Sequence, residues 1–430
     1  MALPSCPVIG ALRLFGSRGL RMARLAPRVR HDFRSYATTL ESNRQGLILK
    51  VSEGAKSSPK RLSQFWLRDN CRCAKCVNQD TMQRSFNTFE ISDKIAAKAI
   101  HQNEDGVEIT WSDSHQSSYS WSWLRSAIYG VENKKLKTLG DQTLWNASIA
   151  SNPPEVSFDS VMAKGDISGM ADLTEKIRGY GMCFVTNTPK TPEATNELLE
   201  AIGPIRNTHY GGFYDFVPDL AKADTAYTNL ALAAHTDTTY FTEPAGLQAF
   251  HMLSHTPPPN KANDDGSLGG QSLLVDGFYA AYRLKKKFPE AYETLREVRL
   301  PWHASGNDRV AIVPDRAYPV IEASPHKFHR VRWNNDDRGV VPLNVDVDKW
   351  YSAARRWDSI LRRKRNEYRF QLEPGRVLIF DNWRVLHGRS AFEGLRRICG
   401  GYINRDDFIS RWKTSNFPRS EVIAANMQLK

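Results

Sequence analysis

The sequence predicts a mainly β protein with helical inserts: a double-sheet jelly roll or barrel, preceded by a small β-rich N-terminal domain. Strand-like segments dominate the second half, namely GLQAFHML (246–253), QSLLVDGF (271–278), FHRVRWNN (328–335), GRVLIFDNWRVLHG (375–388) and RRICGGYIN (396–404). Two helical stretches interrupt them, around 279–298 and 346–366. Strands and helices do not alternate regularly, which excludes a doubly wound α/β fold and favours an antiparallel two-sheet architecture.

Taken in order, residues 1–36 hold seven arginines, no lysine and one acid, half of the net charge of +12 in a chain of 430 residues. An Arg- and Ser-rich, acid-poor start whose apolar runs are all interrupted by arginine predicts a mitochondrial transit peptide, cleaved after Tyr36, and a matrix location. The remaining charge is mild for the length, so a nucleic-acid partner is not expected. No apolar run approaches the roughly 20 residues of a membrane span. ESNRQGLILKV (41–51) and the alternating GVEITWSD (106–113) predict strands, and SYSWSWLRSAIYG (118–130) a short helix ended by Gly130. Pro153–Pro154 mark a boundary, giving an N-terminal domain over 41–150 and a second domain over 155–420. The second opens with the helical MADLTEKIRGYG, the strand MCFVTNT and the helix PEATNELLEAIG.

Four groups of residues carry chemistry. His235 and Asp237, two apart after the apolar LALAA, share one face if the chain is a strand there. A lone H-x-D is weak, but His387 in DNWRVLHGR completes two imidazoles and a carboxylate, the facial set that holds Fe(II) and leaves positions open. Such a centre needs an electron-donating cosubstrate. 2-Oxoglutarate chelates the metal at one end and presents a carboxylate at the other, for which a buried arginine is the best partner. Arg396 lies nine residues after His387, with Arg389 and Arg397 as rivals, and the Ser272 hydroxyl is placed to add a hydrogen bond. Tyr210, Tyr214, Tyr227 and Tyr402 form the third group: taken singly each reads as a core tyrosine, but converging near a metal they would make an aromatic cage for a quaternary ammonium, with Asp224 and Asn334 for the polar end of a substrate. The fourth is Cys71, Cys73 and Cys76, three thiols too close to pair among themselves and lacking the spread of a disulfide framework; zinc would need a fourth ligand.

DTAYTNLALAAHTDTTYFTEPAGLQAFH, LLVDGFYAA, RWNNDDR and DNWRVLHGR together resemble the γ-butyrobetaine dioxygenase family of Fe(II)/2-oxoglutarate oxygenases, in its trimethyllysine-hydroxylating branch. The resemblance runs from FWLRDNC to about residue 407. It implies a double-stranded β-helix core, His235, Asp237 and His387 as catalytic iron ligands, Arg396 and Ser272 on 2-oxoglutarate, and Tyr210, Tyr214, Tyr227 and Tyr402 around a trimethylammonium group. It implies C3 hydroxylation of Nε-trimethyllysine at the start of carnitine biosynthesis, with ascorbate as reductant. His115 becomes the expected fourth zinc ligand, with His101 as rival, and a homodimer is expected on resemblance alone. Tyr214 departs from the pattern, because that cage position is often Trp. The alternatives are γ-butyrobetaine hydroxylation and a catalytically silent zinc-dependent binding protein.

Overall fold

The computed structural model describes residues 37–43, 46–53, 56–129, 142–217, 229–258, 268–306 and 310–426. The expected presequence, 1–36, lies outside them. The chain divides into two compact units, residues 1–128 and 129–430.

In the first unit the strands Ala37–Asn43, Gly46–Glu53 and Lys56–Leu62 form one antiparallel sheet, and Ala97–Gln102, Gly106–Trp111 and Gln116–Ser120 form another. Residues 41–51 therefore take in parts of two paired antiparallel strands, not one strand. Between the sheets in sequence lies the helix Gln64–Asp69, capped by the Ser63 side chain, which accepts from the Trp66 amide. Leu47, Leu49, Leu67, Val107, Ile109, Trp111 and Leu124 bury together. The helix expected over 118–130 starts only at Trp121, because Gln116–Ser120 is a strand whose alternation buries Ser117 and Tyr119. Their hydroxyls are satisfied there: Ser117 accepts from Trp111 Nε1 and Tyr119 donates to the Leu67 carbonyl.

The second unit is built on two sheets. Six strands run in the spatial order Glu155–Ser157, Met182–Thr186, Val377–Asp381, Leu247–Thr256, Leu395–Ile403 and Tyr214–Phe216. Four run in the order Leu232–His235, Val385–Arg389, Ser272–Asp276 and Tyr368–Phe370. All pairings are antiparallel except the edge pair Glu155–Ser157 and Met182–Thr186, which the helix Ser168–Tyr180 connects. Met182, Phe184, Met252 and Phe380 of the larger sheet pack with Leu274, Val385 and Tyr368 of the smaller, so the two sheets face one another as a double-stranded β-helix. The helical inserts cover the smaller sheet through a cluster that includes Val275, Leu284, Leu295, Trp350 and Trp357. The insert over 279–298 is two helices, Gly277–Lys287 and Pro289–Glu297, because Pro289 has no amide hydrogen to continue a helix and a ring suited to begin one. The C-terminal helix Arg405–Asn416 is absent from the sequence expectations; Phe408 and Trp412, one turn apart, are its buried aromatic contacts.

GRVLIFDNWRVLHG is also two strands, Val377–Asp381 in one sheet and Val385–Arg389 in the other. The crossing residues 382–384 are buried or nearly so, and Arg384 anchors them. Its Nε and Nη2 donate to the two carboxylate oxygens of Asp276 at 3.0 and 2.8 Å, and Nη1 and Nη2 donate to the carbonyls of Gly179 and Thr143 at 2.8 and 2.6 Å. The side chains of Arg384 and Asp276 are 1% and 0% exposed. Truncation of one partner strands a buried charge. Arg384→Ala should therefore lower unfolding stability by about 3–5 kcal/mol in urea denaturation followed by circular dichroism.

Candidate active site

The register of the smaller sheet brings the two imidazoles together, since His235 and His387 are directly paired across neighbouring antiparallel strands. Their ring centroids are 4.3 Å apart. Phe250 and Phe380 pack on the His387 ring at 5.5 and 5.0 Å and fix its orientation. The strand ends at His235, so Asp237 is not two residues along the same strand face, contrary to the sequence expectation. A tight turn returns it instead. Asn382 clamps that turn: its Oδ1 accepts from the Asp237 amide at 2.8 Å, and its Nδ2 donates to the carbonyls of Asp237 and Ala245 at 3.0 and 3.1 Å. Thr236 exchanges hydrogen bonds with the backbone of Trp333. Thr238 takes a positive φ of 55°, unusual for a β-branched residue, and its hydroxyl accepts from the Ala245 amide. The buried Arg332 guanidinium donates to the carbonyls of Thr239, Phe241 and Thr242.

The result places Asp237 Oδ1 3.2 Å from His235 Nε2 and 3.6 Å from His387 Nε2. The other oxygen, Oδ2, accepts from Gln248 Nε2 at 2.6 Å and from the Tyr402 hydroxyl at 2.7 Å. Gln248 and Tyr402 are themselves a cross-strand pair of the larger sheet. His235 Nδ1 donates to the Ala233 carbonyl at 2.8 Å, which leaves the Nε2 lone pair toward Asp237. Cis ligands of a divalent ion at about 2.1 Å stand about 3 Å apart, so two nitrogens and one carboxylate oxygen in this arrangement fit Fe(II) on one face. Burial opposes ionisation of Asp237, yet the two imidazoles and the Tyr402 hydroxyl hold its carboxyl well below the usual range. Burial, with His235, pushes His387 down to about 3, which keeps it a neutral donor.

Arg396 opens into the same cavity of about 920 Å³ as His235, Asp237 and His387. The residue is 2% exposed, and its Nε and Nη1 have no hydrogen-bond partner among the described residues. Burial and neighbouring Arg389 pull it down only to about 10, so it stays cationic at neutral pH. Ser272 is buried in the wall of the same cavity. Gly270 makes the close approach possible: a Cβ there would stand 3.0 Å from Arg396 Nη1 and 3.1 Å from Phe392 Cβ. The rivals fall differently. Strand alternation turns Arg397 outward, where it pairs with Asp215. Arg389 does line the cavity, and both Arg389 and Arg396 stack on Phe392 with 5.0 Å to its centroid.

Residues 135–402 match the family described as taurine catabolism dioxygenase TauD, TfdA. The chain belongs to this dioxygenase family. Residues 38–125 match the γ-butyrobetaine hydroxylase-like N-terminal family. A trimethyllysine dioxygenase of Neurospora crassa is 54% identical over 419 residues, 91% of this chain and 88% of that protein. Trimethyllysine dioxygenases of Meyerozyma guilliermondii and Homo sapiens are 39% and 41% identical, covering 85% and 81% of this chain and 93% and 82% of theirs. The protein is thus an Fe(II)- and 2-oxoglutarate-dependent dioxygenase.

Of the expected substrate residues, this dioxygenase brings Tyr210, Tyr214, Tyr402 and Asn334 to the cavity. Tyr214 and Tyr402 meet edge to face at 5.9 Å, and the Tyr214 hydroxyl donates to the Ala249 carbonyl. Asp224 and Tyr227 lie outside the described residues. Sequence reasoning missed Gln248, Asn382, Arg332 and Asp337. Asp337 lines the cavity and accepts from the Thr239 hydroxyl at 2.6 Å; burial pushes its carboxyl up to about 6. The one available signal was that Asn382 sits inside the same DNWRVLHGR run as His387.

In the N-terminal unit, His115 Nε2 lies 3.3, 3.6 and 3.4 Å from the sulfurs of Cys71, Cys73 and Cys76. A tetrahedral zinc with ordinary Zn–S and Zn–N bonds requires S···N edges of about 3.6 Å, so the donor set fits zinc. His101 is exposed and outside this cluster. Arg68 adds positive charge, with Nη1 3.6 Å from Cys76 Sγ and Nε 2.9 Å from Asp113. Burial and the adjacent thiols push Cys76 up to about 12, whereas at Cys73 hydrogen bonds outweigh burial and pull the thiol down, so ionisation of Cys76 in particular needs a metal's charge.

The clamp on the Asp237 turn gives a test away from the ligands themselves. Asn382→Ala should weaken iron binding by about 10–100-fold in anaerobic competition against a chelator, with the far-ultraviolet circular dichroism unchanged.

Proposed function

We propose that this dioxygenase hydroxylates free Nε-trimethyllysine at C3, consuming oxygen and 2-oxoglutarate and releasing succinate and carbon dioxide, the first step of carnitine biosynthesis. The observation that carries the reading is one cavity holding three things at once: the His235–Asp237–His387 donor set, the Arg396 guanidinium, whose Nε and Nη1 have no hydrogen-bond partner among the described residues, and a wall of tyrosines. The curated relatives that match nearly the whole chain carry the name trimethyllysine dioxygenase.

His235, Asp237 and His387 would hold the iron, which supplies oxygen activation when bound; ascorbate keeps it ferrous. Arg396, helped by Ser272, clamps the distal carboxylate of 2-oxoglutarate and so orients its keto-acid end toward the open metal face. Tyr210, Tyr214 and Tyr402 surround the trimethylammonium group, which offers no hydrogen to donate and is held by cation–π attraction, about 2 kcal/mol for a desolvated contact. Tyr227 belongs to the same cage by resemblance, and Asp224 with Asn334 binds the amino-acid end. With both ends held, C3 would be presented to the site that His235, Asp237 and His387 form, and the rate gain would come from that positioning. The γ-butyrobetaine-like N-terminal match keeps γ-butyrobetaine as the second substrate to examine.

Cys71, Cys73, Cys76 and His115 hold a structural zinc in the domain over 41–150, which takes no part in turnover. The Arg-rich residues 1–36 direct the chain to the mitochondrial matrix, in keeping with animal relatives named as mitochondrial. A homodimer follows by resemblance.

Protein incubated with iron, 2-oxoglutarate and each betaine separately should release succinate with trimethyllysine and yield a product one oxygen heavier. Strong turnover of γ-butyrobetaine with none of trimethyllysine would reverse the assignment. Elemental analysis should find one zinc per chain, and Cys76→Ser should abolish it and lower the melting temperature while the iron stoichiometry stays at one.

A further inference from the structure

The cavity contains four carboxylates, Asp237, Asp336, Asp337 and Asp358, and their surroundings sort them. Asp237 faces the two imidazoles. Asp358 is already neutralised by Arg362, at 2.9 and 2.8 Å from its two oxygens. Asp336 is exposed on the loop. Asp337 differs from all three. It is half-buried, and no Lys, Arg or His among the described residues lies within ion-pair distance of it. The neighbouring Arg338 turns away, its guanidinium 5.1 Å from the Trp350 centroid and its Nη1 on the Gly339 carbonyl.

The position of Asp337 is also held. Its Oδ2 accepts from Thr239 Oγ1 at 2.6 Å, and its backbone carbonyl accepts from the His303 amide at 3.0 Å. Thr239 is two residues beyond Asp237, in the turn that Asn382 and Arg332 secure, so the carboxylate is referenced to the metal site through a rigid segment. Asn334 stands beside Asp337 in the cavity wall, its Oδ1 committed to the Asp336 amide, and its side-chain amide favours the charged form of the Asp337 carboxyl.

A desolvated carboxylate held by neutral donors and no protein cation is stabilised by a cation that arrives with the substrate. A trimethylammonium group has no N–H to give it, whereas a primary ammonium has three. The geometry points to Asp337, in place of Asp224 in the reading above, as the receptor for the α-ammonium group of the amino-acid substrate, with the Asn334 amide beside it for the adjacent α-carboxylate. The inference rests on the trimethyllysine reading and sharpens it. It assigns selection against substrates that lack an α-amino group to Asp337, with Thr239 as the positioning residue.

The test compares trimethyllysine with the same trimethylammonium acid lacking the α-amino group, using full-length iron-loaded wild type, Asp337→Asn and Asp224→Asn. Asp337→Asn should raise KM for trimethyllysine by about 10–100-fold while kcat changes less than about threefold, as expected for loss of a hydrogen bond to a charged group. The preference for trimethyllysine over the des-amino acid should collapse toward unity. Calorimetric binding of trimethyllysine without oxygen should weaken by the same factor, with iron content and KM for 2-oxoglutarate unaltered. Wild-type preference retained in Asp337→Asn, or lost only in Asp224→Asn, would overturn the assignment. So would iron loss with equal damage to both substrates, which would reduce Asp337 to a support for the Thr239 turn. Wild-type protein inert toward trimethyllysine would instead remove the underlying reading, and the control makes the two failures distinct.

Discussion

Asn382 grips the backbone of Asp237 on both sides, and the chemistry of the second unit depends on that grip. A metal ion needs its donors converging on one point from different directions, which strands alone do not supply. Here two imidazoles come from paired positions on adjacent strands, and the carboxylate comes from a turn that leaves the strand immediately after His235. The amide side chain of Asn382 satisfies the Asp237 amide and carbonyl that the broken ladder would otherwise leave bare. Asn382 is itself placed by the crossing between the two sheets, where Arg384 and Asp276 are buried together.

The larger sheet then sets the electronics. Gln248 and Tyr402 are opposite each other in its register, and both donate to the same oxygen of Asp237. That leaves Oδ1 facing the two imidazoles, where one carboxylate oxygen would be offered to a metal ion. The sheets therefore divide the labour. The smaller carries the imidazoles and Ser272, and the larger carries the groups that aim the carboxylate together with Arg396 and Tyr402. The cavity between them is lined in one part by two guanidiniums stacked on Phe392 and elsewhere by tyrosines, so a cationic and an aromatic surface share a single space.

Continuous apolar runs made most of the core strands readable, because strands such as Ser272–Asp276 and Val377–Asp381 are buried along their whole length, whereas alternation marks Gly106–Trp111 in the first unit. The breaks were less visible. Nothing in GRVLIFDNWRVLHG marks a crossing between sheets, since the turn residues Asn382, Trp383 and Arg384 are satisfied by tertiary partners from distant segments and carry no Gly or Pro. The same reason accounts for residues 116–120, where buried Ser117 and Tyr119 find hydroxyl partners and make a strand out of what resembled a helix start. Among the site residues, those of distinctive chemistry stood out: His235, His387, Arg396 and the cysteines. Gln248, Asn382 and Asp337 are ordinary polar residues until the fold sets the first two against Asp237 and the third against Thr239.

Residue identity and short-range periodicity were enough for the class of two-sheet fold and for naming two groups of donor residues, His235, Asp237 and His387, and Cys71, Cys73, Cys76 and His115, that the structure brings together. They were not enough to say how Asp237 reaches the imidazoles, that Arg396 turns inward while Arg397 pairs with Asp215, or that Asp337 faces the cavity without a protein cation. Those outcomes depend on strand register and on hydrogen bonds between distant segments, such as that from the Asp237 amide to Asn382 with a separation of 145 residues. Such partners have no local signature, since either residue alone would be equally at home on a solvated surface.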